Sequence, residues 1–308
     1  MANEIRYGGL GDLRLTEELA AEVQLLLADR NALGMHPALM YLGDCGGAPS
    51  LTKKLSQVGW NGYDAMSDVA EGASVTNTAL TDSSVTVTVS RRAKSYIHSD
   101  HALFTDIQGL LSRPSFARDA AISAQMKLTN LIALLVDDFS TTAGPGTGVN
   151  ADVETLIEAG ILLNIANAPV EQGILAMLHT RQWGDVQLDI ATAVAGAIQW
   201  MEATQEQIAI RGNGFKGTLF GMDIFTSNQV QTANAGADRA GGVFTRGAVA
   251  WADATPQPDG NPKKTIIDKI LLAEDYEVGS GETTTVQNYY CGVTEAIDEC
   301  GVTYISDA

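Results

Sequence analysis

The chain has 308 residues, 45% of them apolar and 18% charged, with 31 glycines, enough to bury a sizeable core in one elaborate domain or two. Its formal charge of −18 argues against an electrostatically bound DNA- or RNA-binding module. The longest uninterrupted apolar run, Leu131–Val136, falls far short of the ~20 residues of a membrane span, so no membrane partner is expected. The opening MANEIRYGGLGDLRL lacks the basic flank and apolar stretch of a signal peptide, and the three cysteines (Cys45, Cys291, Cys300) read as reduced thiols.

Residues 1–15 are glycine-punctuated and read as irregular. Thr16 then caps an amphipathic helix, Glu17–Ala32, with Leu19, Val23, Leu26 and Leu27 on one side. Residues 35–50 are loop-rich, which lets that helix stand apart as an arm. Leu51–Asp100 is β territory. Ser74–Leu80 and Ser84–Ile97 flank the turn Thr81-Asp82-Ser83, and Val85, Val87 and Val89 alternate with Thr86, Thr88 and Ser90, the period-two pattern of a strand with one buried face. Such a ribbon has little core of its own, and isolated two-stranded ribbons are marginal in water. Its valine face is therefore expected against another surface, with a neighbouring subunit favoured.

Pro114–Ser140 is the longest clean helical pattern. Phe116, Ala117, Ala120, Ala121, Ala124, Leu128, Leu131, Leu135 and Phe139 recur at three- and four-residue steps and define one stripe. Ser112 is the expected N-cap, Asp119 suits the positive end of the helix dipole, and Asp137 and Asp138 lie at its unfavourable end, where fraying is expected. A Gly/Pro loop, Thr141–Asn150, leads to a helix at Asp152–Ile165 and a buried strand at Gly173–His179. Thr180 opens a further helix, and Ala193–Ile208 reads as another. Gly212–Gly221 is a turn into a strand at Met222–Ser227, Val243–Ala252 is strand-like, and ATPQPDGNPKK is the clearest linker. Strands at Ile266–Tyr276, Thr283–Gly292 and Gly301–Ile305 close the chain, giving an α+β class overall.

Sites for chemistry are sparse. His98 and His101, with Asp100 between them, could ligate a divalent ion, but no third ligand follows at a diagnostic spacing. AGPGTG (143–148) lacks the lysine of a phosphate loop, and RGNGFKG (211–217) leads into a strand where an anion site needs a helix N-terminus. No cofactor and no catalytic residue is assigned, and no enzymatic activity is expected. The acid is uneven. Thr265–Ala308 holds nine acidic residues against one lysine, whereas Lys53–Lys94 holds five basic against four acidic. A near-neutral arm and an acidic tail suit contacts between copies.

This order of elements resembles the major capsid proteins of tailed bacteriophages of the Hong Kong 97 type, whose fold is shared with encapsulin shells. Thr16–Ala32 resembles the N-arm, and the hairpin Trp60–Ile97, with Glu71-Gly72 and the Val-Thr alternation, resembles the extended E-loop. Pro114–Ser140 resembles the spine helix of the peripheral domain. GILAMLHTRQWGDVQLD (173–189), GNGFKGTLFGMDIFTSNQV (212–230) and VFTRGAVAWADATPQP (243–258) are similar to segments of the axial domain. The resemblance implies an arm (1–50), an E-loop (51–100), a peripheral domain (101–168), an axial domain (169–262) and strands returning to the peripheral domain (263–308). It implies a structural protein that assembles in the host cytoplasm into hexamers and pentamers of an icosahedral virion shell around double-stranded DNA, held by non-specific contact. Scaffolding, portal and decoration proteins are the further partners. Val85, Val87, Val89, Arg91, Arg92, Lys94 and Trp60 are the residues assigned to contacts between subunits. No lysine–asparagine crosslinking pair is identified. An encapsulin compartment is the alternative, followed by a metal enzyme using His98 and His101 or an acidic surface adhesin.

Overall fold

The computed structural model describes Leu33 and residues 36–47, 50–58, 68–72, 74, 82–105, 113–192, 200–211, 214–257, 261 and 263–307. The expected helix Thr16–Ala32, Trp60, the N-cap Ser112 and all of the expected strand Ser74–Leu80 beyond Ser74 lie outside these residues. The first half of the described chain runs β1 (Leu39–Asp44), β2 (Thr52–Val58), β3 (Asp82–Thr88), β4 (Ser90–Ser99), α1 (Asp100–Thr105), α2 (Arg113–Leu135), β5 (Thr142–Ala143) and α3 (Val153–Ile165). Next come β6 (Ile174–Leu178), α4 (Thr180–Thr192), β7 (Trp200–Glu202), α5 (Gln205–Arg211), β8 (Phe215–Leu219), β9 (Met222–Thr226) and β10 (Gln231–Ala233). The last strands are β11 (Asp238–Thr245), β12 (Val249–Asp253), β13 (Lys264–Ile267), β14 (Ile270–Glu277), β15 (Glu282–Glu295) and β16 (Gly301–Asp307).

Two mixed sheets carry the molecule. The first is six-stranded, ordered β1-β12-β15-β14-β13, with β4 also on β15. The long strand β15 pairs β14 along one edge and divides its other edge, with β4 over Glu282–Cys291 and β12 over Cys291–Glu295. The second is eight-stranded, ordered β5-β16-β11-β6-β9-β8-β7, with β10 also on β11. β6 and β9 run parallel in it, flanked by antiparallel partners. A separate ribbon pairs β2 with β3.

Helix α2 joins the two sheets. Its first half is alanine-rich, and Ala117, Ala120, Ala121 and Ala124 lie against Ile267, Ile270, Leu272 and Tyr289 of the first sheet. Small side chains let a helix approach a sheet closely. Its second half changes character, and Leu128, Ile132 and Ala133, with Val136 and Phe139 just beyond, enter the main core around the second sheet. The expected stripe is therefore right as far as Leu128. Beyond it, Ile132, Ala133 and Val136 are the buried centre, and Leu131 and Leu135 flank it half-buried. A helix at 3.6 residues per turn drifts off a fixed three-four pattern over six turns, which accounts for the shift. The helix stops at Leu135, just ahead of Asp137 and Asp138, where their charges would oppose the dipole.

Several expectations need correction. Residues 35–50 contain β1, which runs parallel to β12. The single strand expected over Ser84–Ile97 breaks at Val89: β3 pairs with β2, Val89 N donates to Leu51 O at 2.8 Å, and from Ser90 onward β4 pairs with β15. Among the described residues the partner of the valine strand is β2. Of the helix expected over Ala193–Ile208, residues 193–199 lie outside the described residues, Trp200–Glu202 form β7 paired with Leu219–Gly217, and helix α5 begins only at Gln205. Gly212–Gly221 holds a strand of its own, β8, turned into β9 by Phe220 and Gly221, both at positive φ, the geometry of a two-residue hairpin. Val243–Ala252 is two strands in different sheets, joined through Gly247 at φ 112°. The chain therefore re-enters the first sheet, which already holds β1 and β4, at β12, and its last strand, β16, lies in the second. Gly292 marks the tightest crossing, where a Cβ would sit 2.1 Å from Thr88 O as β3 passes over β15.

Candidate assembly surface

Along β4 side chains alternate, and Arg92, Lys94, Tyr96 and His98 fall on the face toward α2. Phe116 of α2 stacks against both Tyr96 (centroids 5.8 Å) and His98 (5.9 Å). Lys94 Nζ reaches both carboxylate oxygens of Asp119 at 3.0 Å, and Tyr96 OH donates to the same group at 2.9 Å. Burial works to raise the Asp119 pKa, but the hydrogen bonds from Lys94 and Tyr96 outweigh it and hold the carboxyl below its ordinary value. Asp119, read from the sequence as a dipole partner, lies beyond the first turn of α2, which holds no acidic residue, and serves instead as the anchor of β4.

Beside this anchor is a cavity of about 400 Å³ between β4, β15 and α2. Arg91, Arg92, Lys94 and Lys127 line it, together with Ser123, Gln287, Asn288 and Tyr289, and none of the lining residues is acidic. Arg91 Nε donates to Asn288 Oδ1 at 2.6 Å. Arg92 Nε and Gln287 Oε1 are buried with no hydrogen-bond partner, although Gln287 Nε2 donates to Phe116 O at 2.9 Å. Burial lifts the Cys291 thiol to about 11, with Arg92 beside it working the other way. Arg91, Arg92 and Lys94 were legible as a basic run. Lys127, Gln287 and Asn288 were not; the only local signal is polar Gln287-Asn288 inside an otherwise apolar stretch of β15.

The valines are placed differently from the expectation. Val87 and Val89 are buried against Cys45, Ala250, Ala252 and Ala254 of their own chain, while Val85 is only half-buried. Alanines on β12 leave the space that the valines fill, so the ribbon's missing core comes from residues some 160 positions later. His98 and His101 sit on β4 and α1, and no group of three or more metal-ligating side chains occurs among the described residues. The three cysteines are free and buried.

Two further polar clusters tie elements together. Asp223 accepts from Arg211 Nη1 at 2.5 Å and Thr218 Oγ1 at 3.0 Å, and pairs with His36 Nε2 at 2.9 Å, linking the segment before β1 to the second sheet. Asp253, 1% exposed, is held by Lys269 and by Tyr41 OH at 2.7 Å. Ile157, Ile161 and Phe220 line an open groove together with Glu154, Glu158 and Asp189.

No protein-family model and no curated protein sequence matches the chain. Its fold does match solved structures. The capsid of Ralstonia phage GP4 is similar over 88% of this chain and 87% of that one, with a TM-score of 0.58 at 11% identity. The SrpI encapsulin of Synechococcus elongatus is similar over 90% and 87%, with a TM-score of 0.56 at 12% identity. The capsid protein of cyanophage P-SCSP1u follows over 88% and 86%, at 0.51 and 13%. Similarity over 86–90% of these chains gives this one the fold of the capsid and encapsulin subunits it matches, the Hong Kong 97-like fold.

Proposed function

We propose that the chain is a phage major capsid protein that assembles, through hexamers and pentamers, into an icosahedral shell around double-stranded DNA, and that it catalyses no reaction. The observation that carries this is the match to capsid subunits over nearly the whole of both chains. In this reading α2 is the spine helix, and the first sheet with α2 is the peripheral domain. The second sheet is the axial domain, and the β2–β3 ribbon belongs to the E-loop within residues 51–100. Arg91, Arg92 and Lys94 are its contacts with neighbouring copies. The charge of −18 suits an inner wall that packs DNA without gripping it. Scaffolding, portal and decoration proteins complete the particle, which is made in the host cytoplasm.

Electron microscopy of the purified protein tests the assembly, and nuclease-protected DNA in particles from producing cells tests the content. Closed shells with protected DNA are the expected result. Closed shells filled with protein and free of DNA would establish the encapsulin reading. A protein that stays monomeric at every concentration and salt would overturn both.

A further inference from the structure

We propose that the basic cavity between β4 and α2 receives the acidic β14–β15 turn of a neighbouring copy, with Glu277 as the carboxylate that meets Arg92 and Lys127. This rests on the shell reading above. Two observations point to an occupant. Arg92 Nε and Gln287 Oε1 are buried at the cavity without partners, and a buried polar group left unpaired costs as much as a lost hydrogen bond. The cavity also gathers cations with no acid among its lining, and Lys127 has no ion-pair partner among the described residues.

The chain itself supplies the complement. Residues 275–280 are exposed without a break, and Val278 is 82% exposed at the tip. Asp275 is paired to Lys263, which leaves Glu277 and Glu282 as the turn's carboxylates without an ion pair among the described residues; Glu277 accepts only from Ser280 Oγ, at 3.5 Å. A copy cannot fill its own cavity. Asn288 lies six residues along β15 from Glu282, roughly 20 Å at the rise of a strand, and the turn continues away from the cavity. The contact is therefore heterologous, turn into cavity, and repeats from copy to copy until the rotation closes a ring. Val278 covers the cavity mouth and excludes water from the ion pair, which strengthens it.

Charge reversal with compensation tests this. Arg92→Glu with Lys127→Glu, and separately Glu277→Lys with Glu282→Lys, should each cut particle yield by about tenfold or more while leaving folded subunits by circular dichroism. All four changes in one chain should restore particles, because the pair is then reversed and not lost. The turn variant lies on an exposed loop, so its folding is not at risk if the cavity variant misfolds. A second readout is independent of charge. Lys127→Cys with Glu277→Cys, treated with diamide, should give a ladder of disulfide-linked multimers, since the native thiols are buried. Wild-type shells that tolerate the turn reversal, or shells of the cysteine variant that yield no ladder, would overturn the proposal and leave the shell reading intact. Absence of wild-type shells would refute the shell reading itself.

Discussion

Replacing Val87 with Lys separates burial inside the subunit from burial between subunits. Val87 is fully buried among alanines and Val89, and Lys53 lies directly opposite it on β2. Losing the valine costs about 1.5–2 kcal/mol of transfer free energy. Desolvating an ammonium there, with a second lysine opposite, adds more, partly recovered by snorkelling, for a total of about 3–5 kcal/mol. That is a large fraction of the roughly 5–15 kcal/mol that holds a domain together. Thr86→Lys is the control, since Thr86 is exposed on the other face and also opposes a lysine, Lys54. Denaturant titration of unassembled subunits should show the Val87 variant destabilised by that amount and the control within ~0.5 kcal/mol of wild type. Hydrogen exchange should show amides of β3 deprotected in the first variant alone. If Val87→Lys matched its control in both measurements and lost only assembly, the valine face would be an intermolecular surface and the placement of β3 on β12 would be wrong.

Other expectations follow from single contacts. Gly292→Ala puts a methyl 2.1 Å from Thr88 O, so it should destabilise the subunit by about 2 kcal/mol or more and shift its thermal midpoint down; an unchanged midpoint would mean that β3 does not cross there. Lys269→Met strands the buried Asp253 and should cost about 3 kcal/mol or more, with Asp253→Asn recovering part of it in the double variant, as read by denaturant midpoints. Glu295 is lifted from 4.5 to about 7 by burial first and then by Asp298, Asp138 and Glu299. Its folded pKa exceeds its unfolded one, so its contribution is fully present below about 4.5 and is lost as pH rises through about 7. Glu295→Gln should flatten the thermal midpoint over that window, and a slope equal to wild type would remove the residue from the pH response.

What was readable in the chain was what local periodicity encodes. The start of α2 and the existence of α3 could be found because each is fixed by residues within a turn or two, although the expected end of α2 at Ser140 overran its last residue, Leu135. The alternation of Val85, Val87 and Val89 identified a strand with one apolar face. It could not identify the surface that covers the face, because Ala250 and Ala252 are small residues in a separate strand that looked continuous with β11, and Ala254 follows just beyond it. The break at Val89 was marked only by a change of composition, where the Val-Thr alternation gives way to Ser90-Arg91-Arg92, and nothing local says that the strand changes partner there. At Trp200–Glu202 the helical pattern lost to edge pairing with β8, a tertiary override of local preference. The cavity was half legible. Arg91, Arg92 and Lys94 stand together in the sequence, but Lys127 and Gln287 join them only through the docking of α2 on β15.

The composition of α2 explains why a cavity exists there at all. Over its first half the helix presents Ala117, Ala120, Ala121 and Ala124 to the first sheet, and small side chains bring it close while filling little volume. Tyr289 and Ile270 fill the centre of that contact, and at its edge Ala120, Ser123 and Ala124 leave the space into which Arg92 and Lys127 project. A leucine at Ala124 would close the space and satisfy packing, at the cost of pressing apolar volume onto two unpartnered polar atoms. The second half of the helix, with Leu128, Ile132 and Val136, shows the same chain filling its core with large side chains. Neither sheet can relax independently to erase the difference. The chain passes from the second to the first between β11 and β12 and back between β15 and β16, so α2 is clamped at both ends by strands that belong to opposite sheets. The cavity is thus held open by the two-sheet architecture, and its basic lining is available to a partner without any rearrangement of the subunit.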